Sequence, residues 1–255
     1  MLRITEIEIW PQKDIRLYSS SGSVFHGALM ECVGADVAEM LHRESLRPYS
    51  QHIWFDKIRG CSVWRIGTAH DEAYECIVRP VLEKDCIYLK QKQVHVSLRN
   101  GKVTEVASFD GIADAMFGCG EVPQGVQLSF VTTTSFKHEG QYDIFPELTR
   151  VFYSLLQRWN QYAEGICMEQ EGLERILSQY CRVRRYELKS QPYALEHSVI
   201  YGFGGSMQVR FTGNDMTRRL AGALLSMAPY TGIGIKTALG MGAVRTQLIY
   251  AGKET

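Results

Sequence analysis

No apolar run in this 255-residue chain approaches the ~18 residues that a membrane-spanning helix needs. The opening Met1-Leu2-Arg3-Ile4-Thr5-Glu6 has no signal-peptide pattern. Integral membrane proteins, collagens and coiled coils are excluded, and a soluble, cytoplasmic protein is expected. The seven cysteines (Cys32, Cys61, Cys76, Cys86, Cys119, Cys167, Cys181) form no C-x-x-C pair and have no histidine at ligand spacing. No zinc or other metal site and no cofactor is therefore expected. The odd count suggests reduced thiols, most of them serving as small buried apolar groups.

Net charge is also missing, at 28 basic against 28 acidic residues. The balance conceals an asymmetry, because residues 175–255 carry 11 basic and 4 acidic residues and the remainder 17 and 24. A basic carboxyl-terminal third suits a polyanionic partner for that part of the chain. What the chain has in quantity is apolar residues, 45% of the total, ample for a packed core.

Leu2 to Trp10 alternates as a strand, and the Ser-rich turn 19–23 leads into a helix with Phe25, Ala28, Leu29, Cys32 and Val33 on one stripe. Gly34 breaks it, and a shorter helix with Val37, Met40 and Leu41 inward must end before Pro48. Tyr49–Asp56 and Cys61–Ile66 read as strands. A weak helix spans 71–82, with Pro80 expected to end or kink it, and extended segments flank a turn at Asn100-Gly101. A looser stretch, 109–124, marks a boundary. Beyond it the order repeats: a strand through Val126, Leu128 and Phe130, then a helix with Leu148, Val151, Phe152, Leu155, Leu156, Trp159 and Tyr162 inward. Two alternating runs flank Gly204-Gly205, a helix runs through Leu220 to Met227, and a last strand runs through Val244 and Leu248. The fold expected is α+β, two tandem ferredoxin-like (βαββαβ, RRM-like) domains over residues 1–120 and 121–255.

The segment Gly232-Ile233-Gly234-Ile235-Lys236-Thr237-Ala238-Leu239-Gly240-Met241-Gly242 fits neither a P-loop, which needs Gly before Lys, nor a dinucleotide fingerprint, which needs Gly at 237. Its glycines allow close backbone approach, with N–H groups facing an anion and Lys236 and Thr237 offering an ammonium and a hydroxyl; a tight turn packed on a helix is the other reading. A nucleotide-binding protein is a rival that the failed spacings disfavour.

With Tyr230-Thr231 ahead of it, this segment resembles the glycine-rich signature of the CRISPR repeat-processing endoribonucleases of the RAMP superfamily. Phe25-His26-Gly27-Ala28-Leu29, Leu41-His42 and Arg47-Pro48-Tyr49-Ser50 are similar to that family's first helix and following strand. Phe136-Lys137, Phe145-Pro146, Arg158-Trp159-Asn160 and Tyr201-Gly202-Phe203-Gly204-Gly205 continue the resemblance in order. It implies tandem ferredoxin-like domains that bind CRISPR repeat RNA and cut it without metal. The ribose 2′-hydroxyl would attack the adjacent phosphate and leave a 2′,3′-cyclic phosphate and a 5′-hydroxyl. A cleavage-deficient RNA-binding subunit of a CRISPR effector complex, with other subunits as partners, is the alternative. Some relatives carry a tyrosine where Met30 aligns, and methionine cannot replace it.

Such chemistry needs a base, an acid and cations, and imidazole suits the first two roles. His42 is the first candidate, on the polar face of the second helix and matching the family's Leu-His pair. His26 is its candidate partner, and Arg47, where relatives can carry a lysine, would steady the phosphorane. Tyr18 and Tyr49 are possible hydroxyl donors. His52, His70, His95, His138 and His197 are expected in structural or surface roles. For RNA binding the candidates are Gly232, Gly234, Lys236, Thr237, Gly240, Gly242, Arg182, Arg184, Arg185 and Lys137, with Arg182 and Arg184 taken to share a strand face. No aromatic pattern of a base-stacking domain is visible.

Overall fold

A computed structural model describes residues 1–13, 15–118, 120–195 and 198–252, so Cys119 and His197 lie outside the described residues. The chain begins with β1 (Leu2–Pro11), α1 (Gly22–Cys32), α2 (Ala35–Arg43), β2 (Tyr49–Asp56) and β3 (Cys61–Thr68). Next come α3 (Asp71–Ala73), a π-helical turn (Tyr74–Val78) and α4 (Arg79–Leu82), then β4 (Cys86–Leu89) and β5 (Val94–Ala107). These strands form an antiparallel sheet in the order β2-β3-β1-β5-β4. After α5 (Phe109–Phe117) come β6 (Gly125–Thr134), the small hairpin β7 (Lys137–His138) and β8 (Gln141–Tyr142), and the helices α6 (Leu148–Tyr162) and α7 (Leu173–Gln179). The chain finishes with β9 (Cys181–Ala194), β10 (Val199–Phe211), α8 (Asp215–Thr231) and β11 (Val244–Ile249). The second sheet has the order β11-β6-β10-β9. With β4 set aside as an edge addition, each sheet places its fourth strand beside the first and the third beside the second, as tandem ferredoxin-like units require.

Several local expectations need correction. Pro80 does not break the helix, because it falls in the first turn of α4, where its missing N–H costs little. The π-helical turn just before it has already shifted the hydrogen-bond ladder. Asn100-Gly101 is not a hairpin turn: β5 runs straight through it, and register shifts against β1 absorb the irregularity, with Asn100 at φ 50°. The hairpin turn lies at 90–93, between β4 and β5, where Gln93 takes φ 48°. Residues 109–117, read as loose, form α5, capped by the Ser108 side chain. Met40 is 40% exposed rather than inward, leaving Leu41 as the one fully buried residue of α2. Of the six described thiols only Cys61 and Cys181 are buried, while Cys86 and Cys167 are exposed.

One apolar core lies under the first sheet, built from Ile7, Ile9, Phe25, Leu29, Ile53 and Trp64 among others. A second joins the second sheet to α5, α6 and α8 and also takes in Leu2 and Ile4 of β1, and a small third holds Tyr193, Ile200 and Met241. The two units are stitched along β2, the edge strand of the first sheet. On one face of β2, Ser50 Oγ donates to the Tyr230 carbonyl at the end of α8, 2.9 Å away. That approach is possible because Gly67, opposite Ser50, has no side chain: a Cβ there would stand 2.0 Å from the Tyr230 oxygen. On the other face, Gln51 Nε2 donates to the Gly22 carbonyl at 2.7 Å and the Ala238 carbonyl at 3.0 Å, while its Oε1 accepts from Trp64 Nε1 at 2.6 Å. The carboxyl-terminal segment thus clasps an otherwise open sheet edge from both sides.

Gln51 is 1% exposed, and all three of its bonds are lost on truncation. Gln51→Ala is expected to lower the free energy of unfolding by about 1–3 kcal/mol, the cost of stranding the buried indole N–H and carbonyls, as measured by urea denaturation.

Candidate active site

α1 exists because its apolar stripe (Phe25, Ala28, Leu29) buries against the first core; His26 sits at the margin of that stripe, half-buried. α2 runs from Gly34 and ends with His42 and Arg43 in its last turn, where positive charge suits the helix dipole. His42 is exposed. The chain then turns so that Arg47 Nε donates to the Leu41 carbonyl of α2 at 3.0 Å, which holds the guanidinium over the end of that helix. Pro48 brings the chain into β2, whose first residue, Tyr49, lies 2.8 Å from His26 Nδ1 through its hydroxyl.

These groups form one electrostatic unit. Burial, with Arg47 and then His42 nearby, lowers the His26 pKa from its ordinary 6.5 to about 4. Burial drives the Tyr49 phenol well above its usual value, with Arg47 opposing the rise. The three residues nominated for chemistry, His26, His42 and Arg47, are therefore near one another at the junction of α1, α2 and β2. Two imidazoles and a guanidinium beside an open surface can move protons and hold negative charge. Tyr18, by contrast, is 46% exposed and makes no side-chain cap. Met30 is spent on packing, as a partly buried member of the first core.

The glycine segment is not an open cradle. Gly232, Thr237, Gly240 and Gly242 are buried, and the N–H groups of residues 232–235 and 239–242 are bonded within the protein. Gly232 ends α8, Ile233 N–H donates to the Gly242 carbonyl, Gly242 N–H to the Thr133 carbonyl, and Ile235 N–H to the Ser135 carbonyl. A buried guanidinium underpins the loop: Arg158 donates to the Gly234 carbonyl at 2.9 Å and to the Ser154 hydroxyl at 2.7 Å. Burial lowers the Arg158 pKa to about 10. Lys236 remains exposed, at φ 53°. The glycines serve close approach instead, since Gly240 meets Gly22, one turn ahead of His26 on α1, and a Cβ on either would fall 2.9 Å from the other's Cα. Tyr193 OH, within reach of both the Leu239 carbonyl at 2.8 Å and the Ser19 carbonyl at 3.0 Å, closes the same corner.

Arg182 and Arg184 do not share a regular face. A register shift between β9 and β10 leaves Arg184 unpaired, while Arg182 stands opposite Arg210 and Arg185 opposite Gln208. Arg182, Arg185 and Arg210 therefore lie on the sheet face turned away from Met207 and Val209, together with Gln127 and Gln247. A polar groove of about 470 Å³ runs between Arg185, Gln127, Gln208 and Gln247. Tyr193, at the glycine corner, is eight residues along β9 from Arg185, which puts the basic run about 25 Å from the histidines' end of the molecule. Lys137 is exposed on the β7–β8 hairpin, its ammonium 5.8 Å from the Tyr142 ring centroid.

Arg245 and Gln51 carry no signal in the sequence, while His52 takes a buried, structural place. His52 is 8% exposed, and burial with Arg65 and Arg245 nearby lowers its pKa to about 3. Arg245, on β11, is near enough to His52 and Arg65 of the first sheet to disfavour positive charge on both. Gln51 gave no sign of its importance, because its partners come from three separate segments. His70 accepts from Ala73 N–H through Nδ1 as a helix cap, while His95 and His138 are exposed. Among the described residues no group of three or more His, Cys, Asp or Glu is gathered as metal ligands, and no helix is long and apolar enough to cross a membrane.

The site is thus built from two ferredoxin-like units clasped by a glycine-rich carboxyl-terminal segment, with histidines at the corner. The family model for the CRISPR-associated endoribonuclease Cas6 matches residues 128–244. A CRISPR-associated endoribonuclease Cas6 of Mycobacterium tuberculosis is 29% identical over 230 residues, covering 89% of this chain and 71% of the relative. One of Streptococcus thermophilus is 25% identical over 223 residues, covering 88% and 90%. A Thermus thermophilus Cas6 product complex shares the fold with a TM-score of 0.79 at 20% identity, covering 97% of this chain and 100% of that one. Over most of its length the chain is thus similar to CRISPR repeat-processing endoribonucleases.

His26 and His52 have folded pKa values below their ordinary 6.5, so the unfolded chain binds more protons than the folded one in acid. Their contribution to stability is complete above about pH 6.5 and drains away as the pH falls toward 4 and then 3. The melting temperature is expected to fall over that window, and less steeply in His52→Gln, as followed by circular dichroism.

Proposed function

We propose that this protein cuts CRISPR precursor RNA within its repeats by transesterification. The ribose 2′-hydroxyl attacks the neighbouring phosphorus, the 5′-oxygen departs, and the products carry a 2′,3′-cyclic phosphate and a 5′-hydroxyl. The observation that carries this reading is the joining of His26, His42 and Arg47 at one corner of a chain similar to repeat-processing endoribonucleases. His42, exposed at the end of α2, exchanges protons with the substrate. Arg47 stabilises the charge that gathers on the phosphorane oxygens, and its tether to Leu41 reduces the cost of holding it there. The attack uses the substrate's own nucleophile, so the residues need only orient it and move protons.

The RNA body is bound by the basic face of the second sheet. Arg182 directly opposite Arg210 is an unfavourable pair on its own, and a bridging phosphate turns that repulsion into binding. Arg185, Arg184 and Lys137 extend the positive surface, and Lys236 supplies an ammonium at the glycine corner nearer the histidines. The separation of about 25 Å along β9 fits a folded or extended repeat that lies across the sheet and delivers one phosphate to the corner.

His42→Ala is expected to slow cleavage by about 10²–10⁴-fold with RNA affinity unchanged, measured by single-turnover kinetics and gel shift. Wild-type protein in EDTA is expected to produce cyclic-phosphate ends, whereas RNA that is bound but never cut would instead identify a carrier subunit of an effector complex. Arg185→Ala is expected to weaken RNA binding and reduce the slope of log affinity against log salt by about one, measured by fluorescence anisotropy across a salt series.

A further inference from the structure

We infer that Tyr49 is a positioning residue that fixes His26 as a neutral, Nε2-protonated imidazole, so that His26 serves the phosphate as a hydrogen-bond donor and leaves proton transfer to His42. The inference rests on reading this corner as the cleavage site, and deepens it.

The Tyr49 side chain is 1% exposed, and its hydroxyl lies 2.8 Å from His26 Nδ1. No other hydrogen-bond partner for that hydroxyl exists among the described residues. A buried O–H must donate somewhere, and the one lone pair on offer is that of Nδ1. Nδ1 is then the acceptor, and the ring proton of the neutral imidazole stands on Nε2. Adding a proton to His26 would set N–H against O–H, and the phenol has no other acceptor to turn to. The phenol cannot resolve the clash by ionising, since burial holds its proton more tightly than usual. The charged and titratable groups around the ring act in the same direction: His42 from α2 and Arg47 from the connection into β2 both disfavour a second positive charge.

The consequence is a division of labour. The Nε2–H of His26 donates to a non-bridging phosphate oxygen without giving up its proton, polarising phosphorus as a neutral electrophile. As the O2′–P bond forms and the P–O5′ bond breaks, the 2′ proton leaves to His42, and the departing 5′-oxygen takes a proton from His42 or water. Atoms and charge balance with His26 unchanged throughout.

The test is nitrogen-detected NMR of protein labelled at histidine, with His26→Gln used for assignment. In the wild type, His26 is expected to show an unprotonated Nδ1 and a protonated Nε2 between about pH 5 and pH 8. In Tyr49→Phe the signals should move toward a mixture of tautomers, and His26 should take up its proton at higher pH than in the wild type. A wild-type His26 that carries its proton on Nδ1, or is charged at neutral pH, overturns the inference whether or not the variant folds. Tyr49→Phe that melts like the wild type is expected to cut repeat RNA at least about 10-fold more slowly at unchanged RNA affinity, and an unchanged rate overturns the positioning role. The spectra need no RNA, so a wild-type protein with the expected tautomer that never cuts refutes the cleavage reading alone.

Discussion

A single buried glutamine determines how the two halves of this protein meet. Gln51 uses its amide donor on two carbonyls, one at the start of α1 and one in the glycine segment, and its acceptor on the Trp64 indole. All three partners are backbone or ring groups that have little freedom to move. Because a buried polar group left unpaired costs far more than a paired one gains, this arrangement tolerates only one relative placement of the segments. Three groups of the corner sit on the segments it joins: α1 carries His26, β2 carries Tyr49, and the turn into β2 carries Arg47. The glycines of the carboxyl-terminal segment make the same contact possible from the other side. At Gly240 and Gly67 any side chain would occupy space already held by backbone.

The electrostatics of the corner follow from that placement. His26 and His52 are both held neutral by burial within reach of guanidinium groups, while His42 is left in solvent at a helix end. Neutral imidazole amid positive charge suits a polyanionic substrate, because the site can donate hydrogen bonds to phosphate without first being neutralised. Positive charge also lines the second sheet's outer face, where Arg182 meets Arg210 and Arg185 borders a row of glutamines. In the proposed complex, phosphate contacts from these arginines fix position and carry no sequence information, whereas the glutamine amides can both donate to and accept from base edges.

Much of the fold was legible because its signals are local. Pro48 and the alternation after it delimit β2, and the stripe from Leu148 to Tyr162 reproduces α6 residue for residue. The failures have a common cause, which is that a distant segment decides the outcome. The glycine-interrupted stretch 109–117 is helical because Phe109, Ile112 and Met116 find the second core. Asn100-Gly101 stays in a strand because β1 absorbs the irregularity on one side. At the site, residue type and resemblance nominated His26, His42 and Arg47 together, and of the two readings of the glycines, anion cradle or tight packed turn, the structure has the second. Their N–H groups are spent on Thr133, Ser135 and the segment itself, pairings that no spacing rule reveals. Arg184 left the expected face for a similar reason: a one-residue register shift against β10 is invisible in the sequence of β9.

In the proposed reaction the RNA supplies its own nucleophile to a phosphate held at the His26–His42–Arg47 corner. The most direct measurement uses repeat RNAs that each carry one 2′-deoxynucleotide, scanned across the cleavage position. Deoxy substitution immediately 5′ of the scissile phosphate is expected to abolish cutting while binding stays at full strength, with every neighbouring substitution cut normally. Cutting of that one substituted RNA at the unmodified rate would contradict the proposed reaction.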